Sequence, residues 1–219
     1  MDGVDKNFQL DAEPRLRHGN IVLVGASGSG KSAIGLQTAK LLGMGFVDLD
    51  DLIERTTGRK ISDIFASDGE GVFREYESRI LPTLQNLRSH VIAVGGGALQ
   101  SEEAIRDARK IGPIVWIQSS ATEISRRLFK RVNEMEKRPM LKDLLSEENH
   151  DSRREKIRER IQKIMDERRP WYMRADVVLD GSYVTPEMAA QHLKDILLSE
   201  GLMTTVHNRF ASWHRKGAD

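Results

Sequence analysis

The 219-residue sequence contains no cysteine, which excludes disulfides, thiolate nucleophiles, iron–sulfur clusters and Cys-ligated zinc. Neither sign of charge dominates. The 34 Lys and Arg stand against 33 Asp and Glu, so there is no electrostatic case for a partner made of nucleic acid or anionic membrane. No run approaches the roughly 18 apolar residues of a membrane span, and residues 1–19 lack the apolar core of a secretory signal. A soluble cytoplasmic protein is therefore expected. His90, His150 and His192 show no metal-ligand spacing. What is present suffices for one compact domain, since 39% hydrophobic and 31% charged residues supply both a core and a wet surface.

Along the chain, short apolar runs alternate with helical patterns. Strands are expected at Ile21–Val24, Phe46–Asp50, His90–Val94, Pro113–Ile117 and Val177–Leu179. Helices are expected at 31–42, over most of 51–87 with a weak point at Pro82, at 101–110, at 121–132, around Ile157–Ile164 until Pro170, and at 186–198. Residues 1–19 read as a loose leader and 201–219 as a polar tail. Strongly charged residues 133–154 suit a flap or a solvated helical hairpin. Four- and five-residue strands alternating with helices argue for an α/β sandwich around a parallel sheet.

Gly25-Ala26-Ser27-Gly28-Ser29-Gly30-Lys31-Ser32 fits the G-x-x-x-x-G-K-[ST] phosphate loop, between an expected buried strand and an expected helix. Its glycines let backbone N–H groups wrap an anion at a helix N-terminus. Lys31 is expected to reach the β- and γ-phosphates, and the Ser32 hydroxyl to ligate Mg²⁺. The chain is thus expected to bind a nucleoside triphosphate. The Asn-Lys-x-Asp pattern of GTPases is absent, and the chain is short for a mechanical ATPase.

Asp48 and Asp50, two apart, are expected to point the same way at the carboxyl end of a strand, where ligands of open α/β sheets bind. One suits Mg²⁺ and the other a reacting hydroxyl; Asp50 taken alone also suits a helix cap. Gly95-Gly96-Gly97 removes every side chain where a ligand can approach backbone N–H groups. Arg74, Arg131, Arg138 and Arg168, taken singly, read as surface residues.

The ordered set GASGSGKS (25–32), FVDLD (46–50), IERTTGRKISDIFASDGEGVFREYE (53–77), VGGGA (94–98), RP (138–139) and RRPWY (168–172) resembles the shikimate kinase family. The resemblance covers roughly residues 20–198. It implies a three-layer α/β/α P-loop kinase fold of the nucleoside monophosphate kinase type, with a five-stranded parallel sheet, a substrate-binding subdomain at about 50–87 and a mobile lid at about 131–154. Residues 1–19 and 199–219 are then a flexible leader and a C-terminal extension. The implied reaction is Mg²⁺-dependent transfer of the ATP γ-phosphoryl group to the 3-hydroxyl of shikimate, on the route to chorismate and the aromatic amino acids. A monomer is implied as well.

By the same resemblance, Asp50 binds ring hydroxyls and acts as base, and Arg74 and Arg168 clamp the substrate carboxylate. Glu77 orients Arg74, Phe65 and Phe73 wall the ring, and Gly95, Gly96 and Gly97 contact it. Gly28, Ser29, Gly30, Lys31, Ser32 and Ala33 hold ATP, with Arg131 near the adenine. Asp48 joins Ser32 at Mg²⁺, and Arg138 closes over the transferring phosphate. Two features depart from the pattern: the segment 141–154 is longer and more charged than is usual, and the tail with Phe210 and Trp213 has no counterpart. The rival readings are another small-molecule kinase, for a sugar acid or a related cyclitol, and a non-catalytic nucleotide-binding protein, which predicts loss of the acceptor residues.

Overall fold

The computed structural model describes residues 13–16, 19–130, 141, 150–183 and 185–206. In chain order the strands are β1 (Glu13–Leu16), β2 (Asn20–Val24), β3 (Gly45–Asp48), β4 (His90–Ala93), β5 (Ile114–Gln118), β6 (Val177–Asp180) and β7 (Met203–Val206). The helices are α1 (Lys31–Leu42), α2 (Leu49–Thr57), α3 (Ile61–Ser67), α4 (Gly69–Ile80), α5 (Glu102–Ile111), α6 (Ala121–Phe129), α7 (His150–Tyr172) and α8 (Pro186–Ser199). A 3₁₀ turn at Leu81–Asn86 carries Pro82 at its start, so α4 stops at Ile80 and the weak point foreseen at Pro82 is a true boundary.

Five strands pair in parallel in the order β3-β4-β2-β5-β6. Every residue of the central strand β2 is buried, as the apolar run 21–24 requires, and the polar Asn20 at its start donates to the Leu87 carbonyl. Alternate residues enter opposite layers. Val22 and Val24 join Ile92, Val94, Ile114 and Trp116 beneath α2–α5, while Ile21 and Leu23 join Val91, Val115 and Ile117 beneath α1 and α8. Each such side chain stabilises the fold by about 1.5–3 kcal/mol relative to exposure. The result is the expected α/β/α arrangement. A third cluster, which includes Ala26, Ile124, Leu128, Leu141, Ile157 and Ile161, packs α6 on α7 beside the phosphate loop. Among the described residues, no helix is long and apolar enough to cross a membrane.

Three local expectations are corrected. The second strand ends at Asp48, not Asp50, because Asp48 Oδ1 accepts from Asp50 N–H (3.0 Å) and starts α2. The cap is thus Asp48, and Asp50 lies in the helix's first turn. Pro170 does not end its helix: α7 runs through it to Tyr172, since proline removes a single donor and Met173 N–H still bonds Arg169 C=O (2.9 Å). Finally, residues 13–16 of the expected leader pair antiparallel with 203–206, a stretch whose Thr204, Thr205 and Val206 favour extended backbone.

Candidate active site

The phosphate loop leaves β2 and opens α1, whose cap Gly30 is left-handed (φ 102°). Gly28 also has positive φ (88°), and a Cβ there would lie 2.9 Å from Ile124 of α6, so both conformation and space demand glycine. Lys31 Nζ donates to the carbonyls of Gly25 (2.8 Å) and Ala26 (3.1 Å), which folds the ammonium along the loop. Ser32 Oγ donates to Asp48 Oδ2 (2.6 Å). This hydroxyl and carboxylate are hard oxygen donors beside a phosphate-binding loop, which fits Mg²⁺. No cluster of three or more His, Cys, Asp or Glu that suits a metal exists among the described residues.

Asp50, Arg74, Glu77 and Arg168 converge on the triple glycine after β4. A Cβ on Gly97 would fall within the Arg74 guanidinium, and one on Gly95 would overlap Glu77 Oε1 and lie 3.2 Å from Asp50 Oδ1. On Gly96 it would lie 2.9 Å from the Gly25 carbonyl oxygen and 3.2 Å from Arg168 Nη1. The glycines therefore make room for four side chains drawn from α2, α4 and α7, and set them against the start of the phosphate loop.

Arg74 is held from both sides along α4. Its Nη2 donates to Glu70 Oε1 (2.6 Å) one turn before, and its Nη1 to Glu77 Oε2. Its guanidinium also lies 5.3 Å over the ring of Phe73, which is buried and stacks on Phe65 at 5.0 Å. Asp50 Oδ1 and Glu77 Oε1 are buried with no hydrogen-bond partner among the described residues. Burial, aided by Asp48 and opposed by Lys31 and Arg74, raises the Asp50 carboxyl to about 6. Burial also raises Glu77 to about 7, against the pull of Arg74. Arg168 is buried too.

A cleft of about 770 Å³ runs from the loop across α6 to the turn after β6. Its lining includes Gly28, Gly30, Lys31, Ser32, Ala33, Asp48 and Asp50. Asp50 thus faces the loop's cleft, while Arg74, Glu77 and Arg168 gather at the glycines. Ser29 contributes its carbonyl rather than its buried hydroxyl to this region. Arg131 and Arg138 lie outside the described residues.

Several lining residues were not singled out from sequence. Arg127 Nε donates to Glu123 Oε1 (2.6 Å), Nη1 to the Ser29 carbonyl (3.0 Å) and Nη2 to the Gly181 carbonyl (2.5 Å). Glu123 also takes a two-pronged bond from Arg126 at 2.7 Å. The hydrogen bond from Arg126 and then that from Arg127 lower its carboxyl to about 2. Glu-x-x-Arg-Arg in the first helix after the fourth sheet strand was the available signal. Glu70, four residues before Arg74, was another, and Tyr172 stood in RRPWY without a role.

The shikimate kinase family model matches residues 27–197. A shikimate kinase of Chlorobium chlorochromatii (strain CaD3) is 39% identical over 171 residues, covering 78% of this chain and 84% of that protein. One from Thermodesulfovibrio yellowstonii is 36% identical over 174 residues, covering 80% and 92%. The structure of shikimate kinase from Acinetobacter baumannii in complex with shikimate superposes with a TM-score of 0.72 at 30% identity, over 83% of this chain and 94% of that one. With matching topology, a phosphate loop at the carboxyl edge of the sheet and relatives similar over most of their length, the chain belongs to the shikimate kinase family.

Proposed function

We propose that the protein transfers the γ-phosphoryl group of ATP to the 3-hydroxyl of shikimate, giving shikimate 3-phosphate and ADP. The observation that carries this reading is the convergence of Asp50, Arg74, Glu77 and Arg168 on Gly95–Gly97, beside the phosphate loop. A non-catalytic descendant has no reason to keep that convergence, and two arginines suit an anionic acceptor better than a neutral one. Membership in the family supports shikimate in particular.

In this reading Arg74 and Arg168 bind the acceptor carboxylate, and Glu70 and Glu77 hold Arg74 in place for it. Asp50 accepts the proton of the attacking hydroxyl at its carboxylate oxygen, and its raised pKa brings its basicity closer to that task at neutral pH. Phe65 and Phe73 bound the ring site. The loop amides of residues 28–33 and Lys31 bind the phosphates and stabilise charge on the transferring oxygens. Arg138 would add to that charge, by the family resemblance alone. Ser32 and Asp48 would hold Mg²⁺, which when bound neutralises charge on the phosphate oxygens. Arg126, Arg127, Gly181, Ser182 and Tyr183 line the cleft beyond the loop and suit the nucleoside end of ATP, the part the resemblance assigns to Arg131.

The test is ADP release from ATP and Mg²⁺ with shikimate, gluconate or quinate. Stimulation by shikimate alone is the expected result. Equal stimulation by gluconate, or none by shikimate with ATP still bound, would overturn the substrate assignment.

A further inference from the structure

Tyr172 is buried at 3% exposure and lies one turn after Arg168 on the same face of α7. Its hydroxyl donates to the Gly96 carbonyl at 2.6 Å. Its ring packs on Trp116 of β5, with centroids 5.6 Å apart and planes tilted by 32°. The Arg168 guanidinium shares the space over Gly96 with this phenol: a Cβ on Gly96 would lie 3.2 Å from Arg168 Nη1 and 3.3 Å from Tyr172 Oη. The Gly25 carbonyl oxygen, where the phosphate loop begins, would lie 2.9 Å from the same Cβ.

A phenol has one proton to give. Here Gly96 takes it, so the phenol can meet Arg168 only as an acceptor, through its lone pairs. The polarity of the arrangement is thereby set: the guanidinium can only donate toward the phenol, and the phenol donates to the glycine carbonyl. The stack on Trp116 keeps the ring from turning, so the oxygen's position is inherited from the sheet itself. Burial pushes the phenol's pKa upward, against Arg168, which keeps this donor protonated.

We infer that Tyr172 is a positioning residue: it sets the plane of the Arg168 guanidinium relative to the phosphate loop and so tunes the enzyme to an acceptor bearing a carboxylate. The inference rests on the reading of Arg168 as a carboxylate clamp. Without the hydroxyl, Arg168 keeps its charge but loses the partner that aims it, and the Gly96 carbonyl loses its donor.

Steady-state kinetics of Tyr172→Phe test this with two acceptors, shikimate and shikimate methyl ester, alongside ATP affinity and a thermal melt. The expected result is a rise of about tenfold in KM for shikimate, with KM for ATP within about twofold of wild type and little change for the ester. In an Arg168→Ala background the same substitution adds no further loss. Trp116→Phe, which loosens the ring and keeps the hydroxyl, moves the same constant by a smaller factor and serves as the test if Tyr172→Phe does not fold. An equal loss on both acceptors would mean a merely structural role, and an unchanged KM for shikimate would mean none; either overturns the inference. If Arg168→Ala is impaired on shikimate while Tyr172→Phe is not, only this inference falls. If Arg168→Ala binds shikimate normally, the clamp reading falls and takes the inference with it.

Discussion

Burial raises the Asp50 carboxyl from an ordinary 3.8 to about 6 and the Glu77 carboxyl from 4.5 to about 7, so both acids resist ionising in the folded chain. Between each ordinary value and its folded value, the folded protein binds more protons than the unfolded one. These two groups therefore make stability fall as pH rises, until the cost is complete a little above pH 7. Glu123 has the opposite sign. Its hydrogen bonds to Arg126 and Arg127 lower it from 4.5 to about 2, so its contribution is present above pH 4.5 and lost as pH falls toward 2. Thermal melts of the ligand-free protein are expected to peak near pH 5 and decline toward pH 8. Asp50→Asn removes the buried charge and is expected to stabilise the ligand-free protein at pH 8, by on the order of 2 kcal/mol, while kcat drops by about 10²–10⁴-fold. Normal turnover by that variant would remove Asp50 from the role of base.

Single helices carry much of the site's order at the next scale. On α4, Glu70, Arg74 and Glu77 occupy adjoining turns, so one helix both supplies a guanidinium and holds it on two sides. On α6, Glu123 holds Arg126 and Arg127, and Arg127 ties the phosphate loop to the turn after β6. Glu123→Gln weakens that tie and is expected to raise KM for ATP about 3–10-fold while KM for shikimate stays near wild type. A parallel rise in both constants would show that α6 supports the fold and does not specifically shape the nucleotide side. On α7, passage of the helix through Pro170 keeps Arg168 and Tyr172 in one helical frame; a break there would have uncoupled them.

Across the whole molecule, the chain outside the family match is partly built into the fold. Residues 13–16 pair with 203–206, both beyond the matched span 27–197. Met203 is buried at 3% exposure in the layer beneath α1 and α8, with Ile34, Leu193 and Leu197. Met203→Ala is expected to cost about 2 kcal/mol in denaturant unfolding with kcat unchanged, because Met203 is buried in the layer under α1 but does not itself line the cleft. A loss below about 0.5 kcal/mol would show that the ribbon is an ornament on the domain.

The phosphate loop, the buried central strand and the helix-strand alternation were legible because each depends on near neighbours: glycine torsions, an apolar run, a cap such as Ser101 or Thr185. The residues Asp50, Arg74 and Arg168, and the pairing of Glu77 with Arg74, were readable only through the spacing of a family pattern, while the hold of Glu70 on Arg74 and the bond from Tyr172 to Gly96 were not. The capping of α2 by Asp48 displaced Asp50 from its expected strand, a choice made by one hydrogen bond that spacing does not reveal. The sequence by itself determined the loop, the order of elements and the identity of the chemical groups. Only the tertiary structure decided that three consecutive glycines meet Asp50, Glu77, Arg74 and Arg168, that two carboxylates lie dry enough to hold protons near neutrality, and that Arg127 reaches Ser29 across 98 positions. Desolvation and contact between distant segments are properties of packing, and they arise only when the layers close.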